Sequence, residues 1–408
     1  WPSPSTNNPT AIDDMWHATV NGRGKFISAG NATEVTTAIK GMLTEINKAT
    51  ATQSGVAAST LSLVSGTRKF TPRYTTGSWV GNVVATNLDP ASGAEIGVAW
   101  QVTGEINTGS TTVVYNGIPN HATRKIYTKS PTGYGDFNAS NTNVTSNLVG
   151  SSTNLINFLR GDDSNEETAD GVGPYRNRDS LLGDIVNSTP VFIDEGVNMS
   201  YEKLPAGTYG QASYQTFYTA KKARSEGVLF VGANDGMLHG FRGSTGAEVF
   251  AFVPRAVIPN MHLLANKVYD HRYFVDGPNI EQDACFGSAS TCTWTNLLIG
   301  TAGAGAKSIF AFDVTSPLTM TSSAVLWEID STSTGFANLG HILSDVQTGL
   351  AMNGQWVAVF GNGYESADGV ARLYVVNLQT GALIREISTG VGGSNGLGGV
   401  KLLRDNYM

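Results

Sequence analysis

Charge is scarce in this chain of 408 residues: Asp, Glu, Lys and Arg make up 14% of it, against about 25% in ordinary soluble domains. The charge present leans acidic, 33 carboxylates against 26 basic side chains for a net −7, so no positive field exists to gather a polyanion. Nucleic acid is thereby excluded as an expected partner. Long apolar runs are missing as well; none approaches the roughly 18 residues that a spanning helix needs, and no transmembrane helix is expected. The chain opens on Trp1 with neither an initiator Met nor a basic and apolar signal segment, which reads as a mature or excised piece of something longer. Cysteine is nearly absent. Cys285 and Cys292 enclose Gly287, Ser288, Ser290 and Thr291, a loop suited to closure by one disulfide. Two free thiols would suit a cytosolic chain better than this Asn- and Gly-rich one, and a metal site would need further ligands, with no His nearer than His271. A bridge implies an oxidising compartment.

What is abundant is glycine, 48 residues, with Ser, Thr and Asn between short apolar runs. That is the profile of a turn-rich extracellular β-protein. One helix is expected from Glu34 to about Ile46, where Val35, Ala38, Ile39, Met42, Leu43 and Ile46 recur at three-and-four spacing behind an extended leader, Trp1 to Thr10. A second is expected from Thr153 to Arg160, stopped by Gly161. The apolar runs Trp79–Ala85 and Ile96–Val102 flank a turn at Asp89 to Gly93, a hairpin pattern.

Downstream one grammar recurs three times: a strand ending in Gly, a glycine-rich turn, a second strand, a further turn and a third strand. It runs from Val228 to Val253 through Asn234-Asp-Gly236 and Ser244-Thr-Gly246, from Asn296 to Glu328 through Gly303-Ala-Gly305 and Pro317, and from Trp356 to Ile387 through Gln379-Thr-Gly381. The repeats are longer than compact propeller blades of about 40–50 residues, which leaves room for loops between them. The expected fold is all-β, a β-propeller with decorated blades, because each sheet exposes two apolar faces that radial stacking covers; a β-sandwich of the same hairpins is the alternative. Residues 1–70 then form a linker and helical lead-in, and residues 71–408 the propeller.

Phe230 to Phe241 followed by Thr245-Gly-Ala-Glu248 resembles the quinoprotein-type propeller repeat. More specific are Asp13-Asp-Met-Trp-His17 continuing to Gly24, Leu159-Arg-Gly-Asp162, Ser180 to Pro190, His271 to Gly277, Ile309 to Thr315 and Phe360-Gly-Asn-Gly-Tyr364. Together these are similar to the PilC/PilY family of type IV pilus-associated proteins, in order over nearly the whole chain. The resemblance implies a modified quinoprotein-like propeller, a secreted bacterial protein that supports pilus assembly, counteracts retraction and mediates adhesion from the pilus tip. Its implied partners are minor pilins, the tip itself and a host or abiotic surface; its implied location is the cell surface, pilus tip and outer membrane, reached through the periplasm. Family members usually carry an upstream region, often a von Willebrand A domain, and continue past the present end, so both ends look cut. Many also hold calcium on an acidic loop near that end, but Leu403 to Tyr407 supplies only Asp405 and Asn406, too few oxygens for Ca²⁺, so no cofactor is carried over.

Other motifs carry residues with chemistry of their own. Arg160-Gly161-Asp162 is an Arg-Gly-Asp tripeptide, which on an exposed loop presents a guanidinium and a carboxylate to an integrin, and which at a helix end is a basic last residue with its glycine stop. Asp162, Asp163, Glu166, Glu167 and Asp170 crowd one loop, yet Thr168 stands where an EF-hand needs Gly, so a solvated acidic loop is expected. Asp235-Gly236 reads as a turn and Gly303-Ala-Gly305 as a hairpin turn without P-loop partners. The six histidines are dispersed. A quinone-dependent sugar or alcohol dehydrogenase would need a base, a metal and a disulfide of neighbouring cysteines, and a glycan-binding propeller would draw on the 14 Tyr and 7 Trp. Binding without catalysis is the expectation, with its aromatic and Arg anchors unnamed by sequence.

Overall fold

The computed structural model describes residues 55–59, 64, 66–107, 112–194, 196–288 and 291–403, together with Trp16, His17, Thr19, Asn21, Glu34, Thr50 and Ala51. The expected leader and, apart from Glu34, the expected helix over 34–46 lie outside these residues. The chain parts into two units, Trp1–Thr50 and Ala51–Met408. Every element below belongs to the second.

The first sheet is an antiparallel meander of β1 (Arg68–Thr75), β2 (Val80–Leu88) and β3 (Glu95–Gln101), followed by the hairpin β4 (Thr103–Asn107) and β5 (Thr112–Asn116). A second hairpin, β6 (Ile126–Ser130) and β7 (Gly133–Asp136), leads into helices α1 (Thr142–Asn147) and α2 (Thr153–Arg160). Ser152 caps α2, and Gly161 ends it, the stop expected from the sequence, in the left-handed conformation. The second sheet is built from β8 (Val191–Ile193), β9 (Val228–Ala233), β10 (Met237–Arg242) and β11 (Glu248–Phe252), with helix α3 (Tyr214–Lys222) between its first two strands; β6 joins β11 in parallel at its edge. The third sheet is β12 (Asn279–Gly287), β13 (Cys292–Thr301), β14 (Ser308–Asp313) and β15 (Val325–Asp330); the fourth is β16 (Gln347–Leu350), β17 (Trp356–Gly361), β18 (Arg372–Asn377) and β19 (Leu383–Ser388).

Each repeat therefore has four strands, not the three of the sequence grammar; β8, β12 and β16 precede the apolar signal. The second strand of each, β9, β13 and β17, is buried along nearly its whole length because sheets cover both of its faces; β9 and β17 are apolar throughout, while β13 also buries Thr295, Asn296 and Thr301. A register shift recurs between third and fourth strands, at Gly240/Phe241, Ala311/Phe312 and Val375/Val376, giving each sheet the same local bend.

Successive sheets interlock through buried side chains. Phe70, Val83 and Trp100 of the first sheet pack with Leu229, Val231 and Phe241 of the second. Phe250 and Phe252 meet Phe310 and Phe312 of the third, with centroids 5.1–5.6 Å apart. Leu297, Ile309 and Trp327 share a core with Trp356, Phe360 and Tyr374 of the fourth. Two of these junctions repeat one device. Trp100 donates its indole N–H to the Gly243 carbonyl at 2.8 Å, and Trp327 donates to the Leu378 carbonyl at 2.8 Å, each tryptophan lying against the glycine of the next sheet's Thr-Gly turn. Gly246 (φ 74) and Gly381 (φ 70) are left-handed there, and a Cβ would come within 2.4 Å and 2.8 Å of the indole.

At the junction of the second and third sheets the Arg255 backbone N–H donates to Glu328 Oε1 at 2.6 Å and the Arg255 side chain pairs with Asp330. Glu328 Oε2 is enclosed with no hydrogen-bond partner among the described residues. Burial, with the neighbouring Asp330 charge, pushes the Glu328 carboxyl up to about 7. A carboxyl raised in the fold holds its proton more tightly there than in the unfolded chain, so its contribution is greatest below pH 4.5 and is lost as pH climbs through 7. Glu328→Gln is expected to stabilise the protein at pH 8 by on the order of 2 kcal/mol. Thermal unfolding across pH should show a flattened slope between 4.5 and 7.

Candidate interaction site

Three of the sequence motifs converge at one end of the second sheet. The segment Ser180 to Pro190 crosses the turn Asn234-Asp-Gly236: Gly183 N–H donates to Asp235 Oδ2 at 2.9 Å, Asn234 N–H donates to the Asp184 carbonyl at 2.9 Å, and the Asn234 side-chain amide donates to Asp184 Oδ2 at 2.8 Å. From the His271 to Gly277 stretch, His271 Nε2 lies 2.7 Å from Asp184 Oδ2 and Phe274 N–H donates to Asn234 Oδ1 at 2.9 Å. Asp276 accepts from Asn187 through both its backbone and its side chain, at 2.9 and 2.6 Å. Asp235 and Asp276 thus hold different points of one segment. Asp235 is more than the turn residue of the sequence reading.

Below this knot lies a buried charge network. Arg124 grips Glu248 bidentately, Nε to Oε2 at 2.7 Å and Nη2 to Oε1 at 2.8 Å. His239 bridges Glu248, 2.8 Å from Nδ1, and Asp235, 3.1 Å from Nε2. Burial alone would favour neutral imidazole, but the two carboxylates outweigh it and raise His239 to about 9, so it donates from both nitrogens at neutral pH. Burial likewise opposes the Glu248 charge; Arg124 and His239 overcome it and lower that carboxyl to about 2. The network fixes the turn from beneath.

Above the knot sits a run of rings. Trp79 stacks on His271 with centroids 3.9 Å apart, Tyr74 stacks on Trp79 at 6.4 Å, and Tyr273 meets His271 edge-on at 5.1 Å. Tyr273 is 40% exposed, and Tyr74, Trp79 and His271 are part-exposed. Trp79 has φ 53, a left-handed conformation that costs a bulky residue about 1–2 kcal/mol, so its placement is held by its surroundings. Beside it, Arg176 lays its guanidinium over the Tyr269 ring at 4.0 Å, and its Nε has no hydrogen-bond partner among the described residues. Arg178, by contrast, is paired with Glu166 at 2.5 Å. Trp79, Arg176, Arg178, Asn234 and Asp235 line one cleft. Aromatic and arginine side chains massed on a rigid knot are the composition of an interface centre.

Of this group only His271 and Tyr273 stand in a sequence motif. Trp79, Tyr74 and Tyr273 carry no local pattern that separates a surface ring from a core ring, and Arg176 has no motif.

The Arg-Gly-Asp tripeptide ends α2. Arg160 is buried and its guanidinium donates to the carbonyls of Phe137, His121 and Arg124 at 2.7–3.0 Å, so it is not presented to a partner. Gly161 is the C-terminal cap, and Asp162 accepts from the Ser164 N–H at 3.0 Å. The acidic loop is partly neutralised, Glu166 by Arg178 and Glu167 by Lys267. Cys285 and Cys292 are joined, S–S 2.04 Å, at the tip of the β12–β13 hairpin. Among the described residues no cluster of three or more His, Cys, Asp or Glu could hold a metal ion, and no helix is long and apolar enough to cross a membrane.

Four largely antiparallel sheets stacked in chain order, latched at two junctions by a tryptophan on the next sheet's turn, are the build of a protein of β-propeller type. A sequence model described as the PilY1 beta-propeller domain matches residues 182–407. The chain belongs to the PilY1 family. It is 31% identical over 433 aligned positions, covering all of this chain and 35% of the relative, to the type IV pilus biogenesis factor PilY1 of Pseudomonas aeruginosa strain PAK. It is 39% identical over 262 positions to a type IV pilus biogenesis factor PilY1 homolog of Xylella fastidiosa strain Temecula1, covering 61% of this chain and 17% of that one. The crystal structure of the Pseudomonas aeruginosa PilY1 C-terminal domain aligns at 33% identity over 53% of this chain and 40% of that one, with a TM-score of 0.41. The chain spans about a third or less of the length of these two curated relatives.

Proposed function

We propose that this chain is the propeller region of a pilus tip-associated protein, which supports type IV pilus assembly, counteracts retraction and carries adhesion by binding other proteins rather than by turning over a substrate. Minor pilins at the tip are the proposed first partners, and a host or abiotic surface the second, with the protein at the cell surface, pilus tip and outer membrane after passage through the periplasm. Family membership supports the pilus setting. The observation that carries the binding role is the ring series Tyr74, Trp79, His271 and Tyr273 beside Arg176, a guanidinium that stacks on a ring and has no ion pair among the described residues. A partner of matching chemistry brings a carboxylate for Arg176 and an apolar or aromatic group for Trp79.

The test is a pulldown of sheared pili and minor pilins by residues 1–408, with an absorbance scan for bound quinone. Wild type should retain minor pilins and be colourless. Trp79→Ala and Tyr273→Ala should each weaken retention at least about tenfold, the loss of an interface centre of roughly 1.4 kcal/mol or more. A quinone absorbance with no pilin retained would overturn the reading in favour of a dehydrogenase. Retention unchanged in both variants would move the interface elsewhere on the molecule.

A further inference from the structure

On different loops from the ring series, Tyr209, Trp356, Asn353, Gln355, Asn377 and Gln379 surround an open pocket of about 320 Å³. The chain assembles it from separate turns. The disulfide-closed tip of β12 and β13 gives one wall, the β16–β17 turn supplies Asn353 and Gln355, and the β18–β19 turn supplies Asn377 and Gln379. None of the side chains lining it is charged, although ion pairs crowd the cleft beside Trp79.

Each of the four amides offers both a donor and an acceptor. Asn353 Oδ1 accepts from the Gln355 N–H at 3.1 Å, and Asn377 Oδ1 accepts from the N–H groups of Gln379 and Thr380 at 2.9 Å. Those bonds use the oxygens to hold the two turns and leave the Nδ2 donors for another acceptor. The side-chain amides of Gln355 and Gln379 make no hydrogen bond among the described residues. Gly354, at φ 80, lets the Tyr209 ring lie against the backbone; a Cβ there would come within 1.9 Å of the ring by the same geometry, so the ring's position depends on that glycine.

We propose that this pocket binds a neutral saccharide. Hydroxyl groups donate and accept at once, as amides do, and the C–H face of a sugar ring packs on an aromatic side chain such as Tyr209. A charged ligand would give up hydration for a pocket that offers no counter-charge. The volume lies at the small end of ligand sites, about 300–1,000 Å³, which suits the end of a glycan chain rather than a folded protein surface.

The 1–408 chain is titrated by heteronuclear NMR with neutral hexoses, N-acetylhexosamines and their short oligomers, and in parallel with sialic and uronic acids. The Trp356 indole N–H, which is buried without a partner among the described residues, gives a resonance at the pocket wall. Neutral sugars are expected to shift it with a Kd on the order of 1 mM, and acidic sugars to leave it unmoved. Tyr209→Ala and Gln379→Ala should weaken binding at least about tenfold at unchanged unfolding temperature. Gly354→Ala, which keeps every polar group but displaces the ring and strains the left-handed turn, should weaken it as well. The proposal is overturned if no neutral sugar moves the resonance at high millimolar concentration, if only acidic sugars do, or if folded Tyr209→Ala and Gln379→Ala bind as wild type does. Because the ring series is untouched by these variants, pilin retention measured on the same proteins separates failure here from failure of the tip reading.

Discussion

Trp327→Ala is expected to destabilise the protein by about 3–5 kcal/mol, the usual cost of removing a large aromatic side chain from a packed core. Trp327 is buried among residues of the third and fourth sheets, and its indole donates to the Leu378 carbonyl at 2.8 Å. Alanine leaves a cavity against Gly381, a glycine that cannot move in to fill it, and an unpaired carbonyl in the same place. Trp327→Phe separates the two losses, keeping most of the packing and removing only the hydrogen bond, for about 1 kcal/mol. Thermal and urea unfolding of both variants check this. Equal losses in the two would mean that the indole N–H dominates and the packing argument is wrong.

Glu248→Ala is the second large effect, about 3–5 kcal/mol, because it strands buried Arg124 and leaves buried His239 with Asp235 as its one carboxylate. Arg124 and His239 both give up hydration to meet this carboxylate, and neither has another anion able to replace it fully. The pH dependence follows from the shifts. Glu248 is lowered from 4.5 to about 2, so its stabilisation is complete above pH 4.5 and is lost as pH falls through 2. His239 is raised from 6.5 to about 9, so its stabilisation is complete below pH 6.5 and is lost as pH rises through 9. The pair contributes fully between 4.5 and 6.5. Glu248→Ala should therefore remove the acid limb near pH 2 to 4.5 and bring His239 back toward ordinary titration, read by unfolding across pH and by the His239 ring resonances in NMR.

Two of the second strands were legible in the sequence because they bury apolar residues throughout, Val228–Ala233 and Trp356–Gly361, and the third through its run of Leu297, Leu298 and Ile299. The first strands were hidden by the opposite circumstance. Asn279–Gly287 carries Glu281, Gln282 and Asp283, which look like loop residues until Lys221 of α3 is seen to reach Glu281 at 2.9 Å and Asp283 at 2.8 Å, with Asn296 also on Asp283 at 2.9 Å. Partners supplied from elsewhere in the chain let charged residues occupy a buried strand, and no local pattern records that. Helix α3 was missed for the same reason, since its buried face includes Lys221. At the candidate site Asp184, Asn234, Asp235, His271 and Asp276 all stood in motifs, but their meeting depends on three segments far apart in sequence. The Arg-Gly-Asp tripeptide shows the reverse limit: its composition suggests a ligand, while the carbonyls that occupy Arg160 come from residues no motif connects to it.

The latching of successive sheets has a mechanical side. Trp100 and Trp327 each fasten one sheet to the turn of the next, while the second and third sheets meet through phenylalanines and the Arg255 contacts instead. Tension applied between the first sheet and the fourth would pass through these junctions in turn, and the weakest of them would open first. The phenylalanine junction has no indole latch and is held instead by the Arg255 bonds to Glu328 and Asp330, beside a Glu328 carboxyl whose charge opposes the fold as pH rises, so at high pH it is the place where such a chain would yield under pull. Once it opens, the latched pair on either side stays whole, and extension would come in steps rather than as a single collapse.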